Sequence, residues 1–182
     1  MKSLERLGSR PVSLPLAADD VVEFHAARLL LLLKLCGTAG RIDGLTKMAK
    51  LDFFVRYPDF FEVARAQSNG TDRSDHSVES AMVRHHYGPW DKRYYHVLAN
   101  MEAKRLITVT KEKNSYRIAL TDIGQDRSKR LLVLPSFTPI VTRMKEVKDA
   151  FGARSGSSLK DMIYRIFDQE VGQRRLGEVI ES

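Results

Sequence analysis

A chain of 182 residues can hold one well-buried domain with an appendage, or two very small domains, and is too short for a large multidomain enzyme. Its 30 Lys and Arg against 23 Asp and Glu give a formal net charge of +7, which favours a polyanionic partner. The one cysteine, Cys36, excludes an internal disulfide and fits a reducing cytosol; the apolar run from Leu29 to Leu33 is far shorter than the roughly 20 residues of a membrane span, so a cytoplasmic protein with no membrane partner is expected.

Residues 1–18, mixing Ser, Gly8, Pro11 and Pro15 with scattered Leu, read as an N-terminal arm. Asp19 or Asp20 can cap a helix that begins at Val21 and runs to Leu35 or Cys36. That helix is apolar nearly all round from Leu29 onward, which places it centrally in a core. Gly37 and Gly40 end it. Ile42-Asp43 restarts the chain into a second helical pattern with Met48, Leu51 and Val55 on one side and Lys47, Lys50 and Arg56 largely on others, making a helix-turn-helix candidate that Pro58 stops.

A short helix over 59–66 carries Phe60, Phe61 and Val63, and the Ser, Asn, Gly, Thr and Asp of 67–77 read as a solvated loop. The segment 78–86 fits either strand or helix, and Tyr87 to Trp90 forms a turn because Pro89 disfavours helix at Gly88. Asp91 then caps a helix from Lys92 to about Arg105 with Tyr94, Leu98 and Met101 inward. Arg93, His96, Asn100 and Lys104 share its other side. Leu106–Thr110 and Tyr116–Leu120 form a hairpin, or wing, around the polar tip 111–115.

Thr121-Asp122 caps a further helix bearing Arg127, Lys129 and Arg130 that ends near Pro135. Thr138-Pro139 opens another, with Ile140, Val141, Met144, Val147 and Phe151 at three- and four-residue steps. After a linker over 152–157, Ser158 with Asp161 makes a capping box for a last amphipathic helix with Leu159, Met162, Ile163, Ile166 and Phe167.

The expected fold is therefore mainly α with a small β-hairpin: a winged helix-turn-helix core over 19–134 and a C-terminal helical extension over 135–182. Ile140, Met144, Val147, Phe151, Met162, Ile163 and Ile166 are more apolar stripe than a small winged helix needs. They can fold back onto the domain, form a homodimer, or dock on a partner subunit.

Catalytic chemistry finds little support. Five histidines occur without a His-Glu-x-x-His pattern or paired cysteines, so neither a metal nor a cofactor is expected. There is no Gly-x-Ser-x-Gly elbow, and 37–44 lacks the Gly-Lys-Ser/Thr ending of a phosphate loop. The pattern points to binding. Arg93, His96, Asn100 and Lys104 could enter a DNA major groove while Lys111 and Lys113 at the wing tip grip phosphates, with a plain solvated helix face as the alternative. Trp90 and Tyr94 read as packed aromatics rather than a stacking platform for bases.

Two blocks carry a family resemblance: Arg41-Ile42-Asp43-Gly44-Leu45-Thr46-Lys47-Met48-Ala49-Lys50-Leu51-Asp52-Phe53, and Glu79-Ser80-Ala81-Met82-Val83-Arg84-His85-His86-Tyr87-Gly88-Pro89-Trp90-Asp91. With Leu106-Ile107 and the hairpin that follows, they resemble the small middle component of bacterial ABC-type three-component defence systems, which in the Lamassu type accompanies an SMC-like ATPase and an effector. The first block and the Tyr-Gly-Pro turn also resemble antitoxin domains that carry a Lys-Leu-x-Lys-Leu helix and a Tyr-Gly-Pro turn. The resemblance spans about residues 27–123. It implies a non-enzymatic winged-helix subunit that binds the ATPase near its head or neck and helps the complex engage double-stranded DNA without reading sequence, in anti-phage or anti-plasmid defence. The alternative is an autonomous winged-helix regulator or antitoxin, dimeric on a palindromic site.

Overall fold

The computed structural model describes residues 21–69, 82–85, 88–113, 115–167 and 179–180. The expected N-terminal arm, the caps at Asp19 and Asp20, and most of the loop after residue 69 lie outside them. The chain is mainly helical, with α1 (Val22–Cys36), α2 (Leu45–Arg56), α3 (Pro58–Asn69), α4 (Tyr94–Ala103), α5 (Asp122–Leu132), α6 (Thr138–Phe151) and α7 (Gly156–Ile166). The strands are β1 (Arg41–Asp43), β2 (Met82–His85), β3 (Gly88–Trp90), β4 (Ile107–Glu112), β5 (Ser115–Leu120) and β6 (Val179–Ile180). They form two antiparallel sheets, ordered β1-β5-β4 and β3-β2-β6. Among the described residues no helix is long and apolar enough to cross a membrane.

Helix α1 is the centre of the core, with Leu29, Leu31, Leu32 and Leu33 fully buried. Ile42 and Asp43 do not open the second helix as the sequence suggests: they belong to β1, where Ile42 pairs with Ile118 and is buried while its neighbours face solvent. Gly44, at φ +101, turns the chain from this strand into α2 in a conformation that side chains rarely adopt. Pro58 both ends α2 and begins α3, where its missing N–H is harmless. Residues 67–69, expected in a loop, continue α3.

Helices α6 and α7 are not an extension. They pack on α1 and α2, and Met144, Val147, Phe151, Met162 and Ile163 are buried in the same core as α1. Ile140 and Ile166 are half-buried against it. Of the three outcomes open to these stripes, folding back is the one the structure shows for Met144, Val147, Phe151, Met162 and Ile163, because α2 and α3 present a matching aromatic surface. Phe151 lies 4.7 Å from Phe54 and 5.6 Å from Phe61, and Phe167 lies 4.7 Å from Phe60 between ring centroids.

Two lysines tie the helix ends together. Lys148 of α6 donates to the carbonyl of Cys36 at the end of α1 (3.1 Å), and Lys47 of α2 donates to the carbonyl of Gly152 at the end of α6 (2.9 Å). Each puts a cation where helix carbonyls lack partners. The cap of α7 is Ser155, whose Oγ accepts from the Ser158 amide at 3.1 Å; the expected Ser158 cap lies one turn inside the helix.

Removing the Phe151 ring should open a cavity where three helices meet. Phe151→Ala is expected to lower unfolding free energy by about 3–5 kcal/mol, measured by urea denaturation; an unchanged midpoint would place this ring outside the core.

Candidate nucleic-acid interface

The position of α4 is set by a buried ionic network. Asp52 of α2, fully buried, accepts from Arg28 Nε of α1 at 2.9 Å and from the Tyr94 hydroxyl of α4 at 2.7 Å. Asp91, just before α4, accepts from Arg56 Nη1 of α2 at 2.8 Å and from Arg93 Nη2 at 2.7 Å, and its Oδ1 also accepts the Arg93 amide at 2.9 Å. The last bond closes a turn ahead of the helix and is not the cap expected of Asp91: α4 begins at Tyr94, its N-cap position is Arg93, and no side chain caps it. His25 of α1 joins the halves: Nδ1 lies 2.9 Å from Arg28 Nη1 and Nε2 lies 3.1 Å from Arg93 Nη1. Guanidinium only donates and neutral imidazole has one acceptor nitrogen, so only one of these contacts is a hydrogen bond at a time.

Burial raises the Asp91 carboxyl, but the hydrogen bonds from Arg93 and the charges of Arg56 and Arg93 outweigh it and hold the group well below the usual carboxylate range. Burial lowers Arg56, yet Asp52, Tyr94, Tyr57 and Asp91 together keep it firmly protonated. Tyr94 is pushed well up by burial and by Asp52, so it donates as a neutral phenol.

This scaffold determines which side of α4 faces out. Arg93 turns toward His25, Lys104 lies 3.6 Å from Glu23 of α1, and Asn100 is half-buried with a side-chain oxygen that has no hydrogen-bond partner. Two of the four residues expected to enter a groove, Arg93 and Lys104, therefore reach residues of α1, and His96 alone of the four is exposed without a partner among the described residues. The outward side is instead Lys92, Tyr95, His96 and Ala99. Trp90 and Tyr94 are packed inward, as their positions suggest. Tyr95, which the inward stripe gives no reason to single out, is 61% exposed and rests against Trp90 with ring centroids 5.9 Å apart.

The end of α4 leads directly into the hairpin. Arg105, at φ +55, reverses the chain, and Glu102 Oε1 accepts the Val109 amide at 3.0 Å, fastening α4 to the outer edge of β4. The strands extend farther than expected: Lys111 pairs with Tyr116 and Glu112 with Ser115, and Lys113, just past the end of β4, has a φ of +50. Lys111 and Lys113 are both exposed, without an ion pair among the described residues. Arg117 by contrast is taken up by Glu112 (2.6 Å) and Asp43 (3.5 Å) across the sheet.

Because folding lowers the Asp91 proton affinity, its stabilisation is complete above the unfolded carboxylate value of about 3.9 and is lost as pH falls through and below it. Asp91→Asn should cost about 3–5 kcal/mol at pH 7, because Arg56 loses its charged partner. The variant should also show a shallower loss of melting temperature between pH 5 and pH 3. Parallel acid limbs for the two proteins would remove Asp91 from the acid response.

No family model, no curated protein and no solved structure matches this chain.

Proposed function

We propose that this chain is a non-enzymatic winged-helix subunit of an SMC-like ABC ATPase complex, joining the ATPase, an effector and double-stranded DNA in defence against phage or plasmids. The observation that carries the reading is the passage of α4 straight into a hairpin whose second strand pairs with β1 and whose outer end exposes Lys111 and Lys113. A winged helix uses that order: a helix for the groove and a wing for the adjacent phosphates. The insertion of α3, β2 and β3 between α2 and α4 departs from a minimal helix-turn-helix.

Charge supports the placement of the DNA side. Residues 91–167 hold 16 Lys and Arg against 8 Asp and Glu, whereas the rest of the chain holds 14 against 15. The whole excess lies in the part that contains α4, the hairpin and the helices after it. Base reading is another matter. Arg pairs bidentately with guanine and Asn with adenine, but Arg93 is held by Asp91 and His25 and Asn100 is half-buried. Lys92, Tyr95, His96, Lys111 and Lys113 remain, a set suited to phosphates and to sequence-independent contact.

Binding to duplex DNA should weaken linearly with the logarithm of salt concentration. Lys111→Glu with Lys113→Glu should reduce the steepness by about 2, one phosphate contact each; an unchanged slope would remove the wing from the interface.

Tagged at its own locus and purified with its neighbours, the chain should be weighed by native mass spectrometry as part of an assembly with a large ATPase. A lone homodimer protecting a palindrome in its own promoter would overturn this reading in favour of an autonomous regulator or antitoxin.

A further inference from the structure

Six of the seven residues from Leu131 to Phe137 are apolar. Leu131, Leu132 and Phe137 are half-buried against the core, but Val133 is 78% and Leu134 44% exposed. Single exposed hydrophobics are ordinary; two adjacent ones at the centre of an apolar run are not. Nor is this a loose loop. The Leu134 amide donates to the Leu131 carbonyl at 3.2 Å, the Phe137 amide to Leu134 at 3.0 Å, and the Thr138 amide to Pro135. The hydrogen-bonded turn between α5 and α6 holds both side chains outward, so little freedom would be lost on docking.

We propose that this turn is the docking anchor for a protein partner that presents an apolar pocket rimmed by carboxylates. Charge selects the occupant. Arg127, Lys129 and Arg130 are exposed on α5 beside the turn, and only Arg130 has an ion pair among the described residues, to Asp126 at 3.0 Å. A two-fold contact with a second copy would bring these cations toward their own images, whereas a carboxylate rim on a different protein attracts them. Duplex DNA would engage the cations but leave Val133 and Leu134 in water. The inference rests on the accessory-subunit reading and gives it the docking surface that α6 and α7, spent on the core, do not provide.

The test uses the full chain co-expressed with its neighbours from its own locus, with assembly onto a large ATPase read by native mass spectrometry and affinity by titration of the purified proteins. Val133→Asp with Leu134→Asp should weaken the complex by about 30-fold or more at an unchanged melting temperature, the effect of losing a central anchor. Arg127→Glu with Lys129→Glu should weaken it most at low salt. If the wild-type chain assembles and the double aspartate variant assembles equally well, the docking turn is refuted and the subunit reading stands. If the wild-type chain does not assemble, both fail. A dimer of this chain alone that the aspartates dissolve would make the occupant a second copy and overturn the proposal.

Discussion

Asp52 is fully buried on a helix that is itself buried on every side, and a carboxylate there costs several kcal/mol unless its partners arrive with it. Arg28 comes from α1 and Tyr94 from α4, so α2 can enter the core only together with both. Asp91 repeats the condition with Arg56 from α2 and Arg93, the residue just before α4. Hydrophobic burial alone would let three amphipathic helices slide and rotate on one another. Two carboxylates with fixed lone pairs allow one rotation of α4, and that rotation decides which of its side chains reach solvent.

The rest of the core is arranged around this junction. α2 is so enclosed that even Lys50 is fully buried; burial, with the charge of Lys160 added, pushes its ammonium down to about 7. The enclosure is completed by α6 and α7, whose stripes fill the aromatic groove of α2 and α3, while Lys47 and Lys148 stitch helix ends across it. A boundary at residue 134 therefore does not separate two cores. Cutting the chain there would bare Phe54 and Phe61, which Phe151 covers.

Much of the element order is legible in the sequence because it is local. The helical periods of α1, α4 and α6, the Thr121 cap of α5 and the β-branched run of the hairpin each lie within a few residues, and the structure follows them. What escapes is decided by distant partners. Ile42 is a strand residue because Ile118 lies opposite, more than 70 positions away. Periodicity marks the stripes of α6 and α7 as apolar faces but does not say what covers them. The same limit applies to α4: spacing groups Arg93, Asn100 and Lys104 on one side, but only the fold brings His25 and Glu23 of α1 to meet that side. Tyr95 is exposed by the same rotation.

That rotation bears on what the proposed subunit can do with DNA. Free of partners, Arg93 and Asn100 would favour particular base pairs; as it is, Arg93 belongs to the structural network, and the exposed cations left beside α4 are suited first to phosphate. A regulator of one promoter would be poorly served by this economy of base-reading groups. A subunit that helps an ATPase hold foreign DNA of any sequence needs no such groups, and loses nothing by committing Arg93 to the fold. On the proposed reading the buried network and a sequence-independent contact with DNA have one cause: Arg93, which helps to fix α4 in place, is the guanidinium that α4 would otherwise have offered to a base.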